Sequence, residues 1–268
     1  MKNLSYIRYK TMDGMGSSMI NLMPMMQVHA SPSFRPLYEQ IKILLTQSLI
    51  AGEWRPGESI PSEIELAGRF RVSQGTVRKA IDELAAENIL VRRQGKGTFV
   101  ATHAEPQVRH RFLRVIADDG EREPVESRLV ECKRGKANAA ISKALGMKLA
   151  ATTISIKRLL IFSGHPMIFD EIVLPEPMFK GLNAEKITAY KSSYYNLYES
   201  QYGVRMIRAE ERLKAVVAEP GPARLLDTKL GTPLLCVDRI AYTYDDRPVE
   251  WRRGFCNTNN HCYVNELT

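Results

Sequence analysis

The sequence predicts an α+β protein with two domains, a small helical domain followed by a larger one built on an antiparallel sheet. Its 268 residues are more than one modest core usually contains. Residues 34–102 carry apolar residues at helical spacing and end in a short hairpin. Beyond residue 111, β-type runs separated by turn signals alternate with short helical patterns, which is typical of an antiparallel sheet with accompanying helices.

Composition places the chain among globular proteins. Hydrophobic residues make up 44% and charged residues 25%, which argues against disorder and against a membrane protein. No run of 18 apolar residues is present, so no segment is predicted to span a bilayer. Four irregularly spaced cysteines do not form a disulfide scaffold and fit a reducing cytoplasm. The net charge of +8 is compatible with an acidic partner.

Residues 1–33 are predicted to be a disordered extension. Basic residues precede a Met-rich stretch, an order that is also found in signal peptides. Asn21 and Pro24 interrupt that stretch, so we expect no secretion signal and place the compact part of the protein after residue 33.

Three helices are predicted in residues 34–102. The apolar positions of the first follow helical spacing and are Leu37, Ile41, Leu44, Leu45 and Leu49. Gly52 ends this helix. Ser62 and Glu65 form a capping box that begins the second helix, and Ser73 caps the third.

The third helix has an apolar face and an opposite polar face. The apolar face consists of Val77, Ala80, Ile81 and Leu84, and the opposite face of Gly75, Arg78, Lys79 and Asp82. Gln74 and Thr76 flank the polar face in the first turn. Two short helices joined by a tight turn, the second with cations near its start, form a helix-turn-helix, a motif that places its second helix in the DNA major groove.

A basic hairpin follows directly in the sequence VRRQGKGTFV, residues 91–100. It is not a phosphate-binding loop of an ATPase, because Leu90 stands where the first glycine is needed and Gly97 follows Lys96. A two-stranded wing with Arg92, Arg93 and Lys96 fits a DNA backbone or minor groove better.

Residues 34–102 resemble the winged helix-turn-helix of the GntR family of bacterial transcription regulators. The matching motifs are PLYEQIK, PSEIELA, VSQGTVRKAIDEL and RRQGKGTFV. The resemblance implies that the recognition helix faces the operator with Ser73, Gln74, Gly75, Thr76 and Arg78. It further implies a wing tip formed by Gln94, Gly95 and Lys96.

Two departures from the family pattern affect the expected DNA contacts: one removes a phosphate or base contact, and the other concerns base preference. Ile64 replaces a common arginine, and Gln74-Gly75 replaces a common Arg-Thr pair. Arginine suits guanine, whereas glutamine suits adenine. Gln74 therefore either changes the base preference at one position of each half-site or only contacts phosphate and solvent.

The second domain, residues 112–268, follows a linker predicted at 103–111. Its strands are predicted in ESRLVEC, TTISIKRLLIF, PMIFDEIVL, RAEERLKAVVA and LLCVDRIAYTY, and its helices in ANAAISKAL, SYYNLYESQY and GPARLLD. Turn signals at SGHP and DDRP predict two hairpins. The sequences of the two hairpins are similar to each other, either because they form an internal repeat or because of chance alternation.

This domain resembles the UTRA effector-sensing domain of the HutC-type branch of the GntR family, which has a chorismate lyase-like fold. The resemblance rests on the segments IKRLLIFSGHPMIFDEIVLP, SSYYNLYESQYGV and GTPLLCVDRIAYTYDDRPVEW. The resemblance implies a small-molecule cleft surrounded by Arg158, Asp170, Ser193, Tyr195 and Glu250. Arg252 is a candidate second anion contact.

Each cleft residue also has a purely structural interpretation. The two arginines are alternatively surface strand residues, paired with Asp170 or Glu250. Tyr195 is alternatively a core residue, and Ser193 a helix cap. Phosphosugar-sensing relatives often have Arg-x-Arg on the first hairpin, whereas here Leu160 takes the second position. A single arginine suits a carboxylate, so we expect a small carboxylated metabolite.

We expect neither an enzyme nor a metal or other cofactor. Cys256, His261 and Cys262 do not have the spacing of a standard zinc site. No nucleophile elbow and no dinucleotide fingerprint are present. A chorismate lyase-like enzyme, or a ligand-binding protein whose winged module does not bind DNA, remains the alternative.

The expected protein is a cytoplasmic, homodimeric transcription regulator, a repressor in the commoner design of the family. Two-fold symmetry predicts binding to a near-palindromic operator in double-stranded DNA. A small-molecule effector in the cleft is expected to change the placement of the DNA-binding domains through the linker.

Overall fold

The computed structural model of the protein describes residues 35–105 and 112–265. The extension predicted at 1–33 and positions 106–111 of the predicted linker lie outside the described residues. The elements of the first domain are α1 (Leu37–Ile50), α2 (Glu63–Phe70), α3 (Gln74–Ala86), β1 (Leu90–Arg93) and β2 (Gly97–Val100).

Local signals set the helix boundaries of the first domain. The Ser62 side chain accepts a hydrogen bond from the backbone N–H of Glu65, and the Glu65 carboxylate accepts one from the backbone N–H of Ser62, so the predicted capping box is confirmed. Ser73 caps α3 as predicted. The apolar faces of the helices meet in one core, where Leu66, Val77 and Leu84 are fully buried.

The second domain is the predicted α+β domain. Its elements are β3 (Val115–Ala117), β4 (Val125–Lys136), α4 (Ala139–Ala144), β5 (Thr152–Phe162), β6 (His165–Pro175), α5 (Ala184–Ala189), α6 (Tyr194–Tyr202), β7 (Arg208–Val217), α7 (Pro220–Leu225), β8 (Pro233–Tyr242), β9 (Pro248–Asn257) and β10 (His261–Tyr263). Strands β3 and β10 and helix α5 were not predicted; each of the two strands has only three residues, which is too short for a clear periodicity in the sequence.

A six-stranded antiparallel sheet organises this domain, with strand order β4-β5-β6-β9-β8-β7. Both predicted hairpins are present, and their strands β6 and β9 pair at the centre of the sheet. One face of the sheet packs against α5 and α6 through a core that includes Ile156, Ile172 and Tyr198. No helix within the described ranges is long and apolar enough to cross a membrane.

Candidate functional site

The exposed face of α3 brings together the polar residues predicted for the recognition helix. The Ser73 hydroxyl accepts a hydrogen bond from the backbone N–H of Thr76 at 3.2 Å, which fixes the start of the helix. Gln74, Gly75 and Arg78 are exposed, while Thr76 is half-buried. The predicted orientation of the helix is therefore confirmed, and DNA contact by these residues stays a prediction.

The hairpin separates the two neighbouring arginines of the wing. Arg92 pairs with Asp82 on α3, with 2.7 Å between Nη2 and Oδ1. Arg93 lies instead over the ring of Phe99 and pairs with Glu105. Successive side chains of a strand point to opposite faces, so only Arg92 joins the exposed face of α3.

The predicted wing tip is a tight turn between β1 and β2. Gln94, Gly95 and Lys96 are exposed, and Gly95 has a φ of +70°, a backbone conformation that favours glycine. The turn therefore projects Lys96 away from the body of the domain, as a DNA-contacting wing requires.

An acidic residue that sequence reasoning missed lies under this surface. Glu63, the first residue of α2, accepts hydrogen bonds from Gln74, Arg78 and Arg92. These bonds, above all the one from Arg78, hold the pKa of Glu63 below its ordinary value. The only signal in the sequence was an acidic residue directly after the capping Ser62.

The second domain contains a cavity of about 980 Å³. Strands β4 and β5, the chain leading into α6 and the first turn of α6 line it, together with arginines from β8 and β9. Its charged lining residues are Arg122, Glu123, Glu126, Arg128, Arg158, Lys191, Arg239 and Arg252. Six of these eight side chains are cationic and two are acidic.

Arg158 and Arg252 are buried, so their interpretation as surface strand residues is wrong, while their pairing with acidic residues is confirmed. Arg158 Nε and Nη2 lie 2.8 Å from Asp170 Oδ2. Arg252 donates to both oxygens of Glu250 at 3.0 Å and lies 3.4 Å from Asp170. Burial disfavours the charged form of Asp170, but Arg252 and Arg158 hold its pKa below the ordinary value.

The remaining predicted cleft residues, Ser193 and Tyr195, border the same cavity. Ser193 also caps α6 by accepting from the backbone N–H of Asn196 at 3.2 Å. Tyr195 is buried and donates to Glu250 at 2.9 Å. Asp170 and Glu250 lie behind the lining residues rather than among them. Their carboxylates therefore act on the cavity mainly through the arginines.

Three cations of the lining have no such partner. Arg122, Arg128 on β4 and Lys191 before α6 are exposed, and none of the three side chains forms a hydrogen bond or an ion pair within the described part of the chain. Arg239, which the sequence analysis did not identify either, donates hydrogen bonds to the Glu211 carboxylate and to the backbone carbonyl of Phe112. Sequence reasoning missed all four of these cations because the cavity is assembled from segments that are distant in the chain.

The segment after α6 contacts the DNA-binding domain directly. Arg205 is buried and donates to the backbone carbonyls of Asn88 at 2.7 Å and Ile89 at 3.0 Å. These two residues follow α3, the predicted recognition helix. The side chain of Ile207 lies in the core of the first domain. The segment that directly follows the recognition helix is thus hydrogen-bonded to the second domain.

A second contact joins α6 to the end of the wing. The Glu199 carboxylate accepts from the Thr102 hydroxyl at 2.6 Å and from the His103 backbone N–H at 2.9 Å. Burial raises the pKa of Glu199. The His103 ring packs against Tyr195, which lines the cavity, with 5.6 Å between the ring centroids. His103, the first residue of the predicted linker, therefore lies in a packed contact with the second domain.

The cysteine and histidine residues near the carboxyl terminus are separated. Cys256 is buried, Cys262 is exposed, and His261 Nε2 lies 2.7 Å from Glu123 Oε2. No group of three potential metal ligands occurs in residues 35–105 and 112–265.

Comparison with known proteins identifies both domains. Residues 37–100 match the bacterial regulatory proteins of the gntR family, and residues 121–261 match the UTRA domain. The uncharacterized HTH-type transcriptional regulator YurK of Bacillus subtilis (strain 168) is 30% identical over 234 residues, which cover 85% of this chain and 93% of that protein.

Two further proteins are similar. A probable fructoselysine utilization operon transcriptional repressor of Escherichia coli (strain K12) is 28% identical over 231 residues, covering 85% of this chain and 93% of that protein. A solved structure is also similar, the crystal structure of the ligand-binding domain of a protein from Bordetella bronchiseptica that is described as a GntR-family transcriptional regulator. Its sequence is 44% identical to this chain, the TM-score is 0.56, and the match covers 59% of this chain and 98% of that one. The chain therefore belongs to the GntR family of bacterial regulators, as a DNA-binding transcription regulator with a UTRA domain.

Proposed function

We propose that the protein is a homodimeric repressor whose operator affinity is controlled by a small anionic metabolite in the cavity of the second domain. One observation supports this most strongly: α6, which borders the cavity, and the segment after it are hydrogen-bonded to the residues that directly follow the recognition helix and the wing. A ligand that moves α6 therefore acts on the DNA-binding domain through direct contacts.

In this proposal α3 enters the major groove of one half-site and the wing contacts the backbone or minor groove. Two copies related by two-fold symmetry then require a near-palindromic operator. The predicted contacts are the exposed polar residues of α3, Arg92 and the turn 94–96. The protein acts in the cytoplasm, where bacterial operator DNA is found.

Replacing Arg78 with alanine is expected to weaken binding to all duplexes by a similar factor. Its side chain is 59% exposed and belongs to the face that lies along the DNA. Loss of one phosphate contact reduces the slope of log K against log salt concentration by about one. Fluorescence anisotropy titrations at several salt concentrations measure this slope. Arg224→Ala, an exposed arginine of the second domain, is the control; an unchanged slope for Arg78→Ala would remove this residue from the DNA contacts.

The effector is proposed to be a small carboxylate. Arg158 lines the cavity and uses Nε and Nη2 for Asp170, so in this proposal Nη1 is the nitrogen that contacts the ligand. Arg128 and Lys191 add cationic groups that no described residue neutralises. A carboxylate bound against these side chains forms charge-assisted hydrogen bonds, which are stronger than neutral ones.

Replacing Arg128 with alanine is expected to weaken effector binding about tenfold or more, because one charge-assisted contact contributes roughly 1.5–3 kcal/mol. A thermal-shift screen of small mono- and dicarboxylates identifies the ligand, and calorimetry then compares the variants. Arg134→Ala is the matched control, since Arg134 lies on the same strand but does not line the cavity. Equal affinities for both variants would contradict an anion contact at Arg128.

We propose further that the cavity binds its ligand without converting it. The buried carboxylates that could serve as an acid or base, Asp170 and Glu250, are both held in ion pairs with arginine. Mass spectrometry of the ligand after incubation with stoichiometric protein tests this. A changed mass or a fragment would support the enzyme alternative instead.

A further inference from the structure

Glu63 is an acidic residue on a surface that is proposed to face a polyanion. It is the first residue of α2, and its side chain is only 14% exposed although it lies beside the recognition helix. A negative charge here opposes DNA binding through phosphate repulsion. Its position therefore calls for a compensating role.

Both oxygens of the Glu63 carboxylate are used by the predicted DNA-contacting residues. Oε2 accepts from Arg78 Nε at 2.9 Å and from Gln74 Nε2 at 3.2 Å. Oε1 accepts from Arg92 Nη1 at 3.0 Å. One side chain of α2 thus connects two residues of α3 with one residue of the wing.

Helix capping does not explain this arrangement. The amino terminus of α2 is already capped by Ser62 and Glu65. An acidic residue in the first turn stabilises a helix dipole without needing three side-chain donors. The contacts of Glu63 instead restrain the long side chains of Gln74 and Arg78, which lowers the entropy that these side chains lose when they bind.

The chemistry of the contact also sets the orientation of Gln74. A carboxylate only accepts hydrogen bonds, so the amide group of Gln74 must turn its nitrogen toward Glu63. Gln74 Oε1 and the second N–H of its Nε2 then remain available. This pair of one acceptor and one donor matches adenine, which offers an N6 donor and an N7 acceptor in the major groove.

We infer that Glu63 is a positioning residue that makes the protein selective for its operator by presenting Gln74 in the orientation that reads adenine. The negative charge of Glu63 lowers the affinity for all DNA sequences. The affinity is preserved for sequences that place an adenine where Gln74 can form its two hydrogen bonds. The inference rests on the proposed DNA-reading function of α3.

Three full-length proteins test it, the wild type, Glu63→Gln and Glu63→Asp. The probes are a duplex selected by the wild type from a random pool and a scrambled duplex of the same composition. Glu63→Gln is expected to bind the scrambled duplex more tightly and to reduce the ratio of the two affinities about tenfold. Glu63→Asp keeps the charge but shortens the reach, so it is expected to reduce the ratio without tighter scrambled binding.

A double-mutant cycle separates positioning from general stability. In a Gln74→Ala background, Glu63→Gln is expected to cause no further reduction in the ratio of the two affinities, because the residue through which Glu63 acts is missing. Glu87→Gln, a charge-matched change at the opposite end of α3, is expected to leave the ratio unchanged. Thermal unfolding checks that each variant is folded. If Glu63→Gln does not fold, the affinity ratio of Glu63→Asp is the test of the inference.

The outcomes are distinguishable. An unchanged affinity ratio in a folded Glu63 variant, or an equal loss with and without Gln74, overturns the inference and leaves the DNA-binding function intact. Failure of the wild type to enrich any duplex from the pool overturns the proposed function itself.

Discussion

Replacing Arg205 with methionine will leave a protein that binds operator DNA but responds little to its effector. The wild-type guanidinium joins the second domain to the backbone carbonyls of Asn88 and Ile89, directly after the recognition helix. Methionine fills a similar volume without donating hydrogen bonds. The change therefore removes a connection between two sites while the surface of α3 stays as it was.

The expected size follows from the coupling free energy. An effector that changes operator affinity ~100-fold favours one geometry by about 2.7 kcal/mol, and loss of the connection should reduce this factor to about threefold or less. Operator titrations with and without effector give the factor for each variant. Arg212→Met, which changes an exposed arginine on β7, is the control and should keep the full factor.

Loss of Arg205 also leaves Glu199 without the cation at 3.5 Å. Urea unfolding must therefore accompany the titrations, because a destabilised second domain would reduce effector binding itself. If effector affinity is preserved and the full change in operator affinity persists, the contact between Arg205 and the end of α3 does not transmit the signal.

Replacing Arg252 with methionine will strongly destabilise the second domain. Arg252 bonds to Glu250, whose side chain is 0% exposed, and lies 3.4 Å from Asp170, whose side chain is 4% exposed. Breaking a buried ion pair from one side leaves an uncompensated charge and costs about 3–5 kcal/mol. Urea unfolding monitored by circular dichroism measures the change.

The neighbouring residue provides a matched control. Arg253 pairs with Asp238, but both side chains are partly exposed, so Arg253→Met should cost only about 0–1 kcal/mol. Equal destabilisation by the two changes would show that burial of the cluster around Arg252 does not determine its contribution.

The Arg252 variant should also differ in its response to acid. The pKa of Asp170 is lowered in the folded protein, so its ion pairs contribute stability above its ordinary value near 3.8, and this contribution is lost as the pH falls through and below that value. With Arg252 removed, the pKa of Asp170 is less depressed. The free energy of unfolding should then depend less on pH in this acidic range.

Much of the fold could be predicted because its signals are local. Ser62 and Ser73 cap helices through contacts three residues away, and the apolar residues of α3 recur at the helical period. The hairpin β5–β6 likewise follows from a turn between two strands, and it places Arg158 opposite Asp170. Such features depend on residues that are close in the chain.

The candidate sites could be predicted only in part. The pairing of Arg158 and Arg252 with acidic residues was anticipated, but their burial was not, because alternation along one strand does not reveal what covers each face. Arg92 and Arg93 were treated alike, although the strand turns them to opposite sides and gives them different partners. Glu63 was overlooked, since its partners lie 11, 15 and 29 positions further along the chain.

By itself, the sequence determined the α+β fold, the order of its elements, the polar face of the recognition helix and the family. Only the tertiary structure decided which cations face outward, which are neutralised by buried carboxylates, and how the cavity helix reaches the DNA-binding domain. The reason is physical: periodicity and capping are interactions between near neighbours, whereas the Arg205–Ile89 contact joins residues 116 positions apart and exists only once both domains have packed.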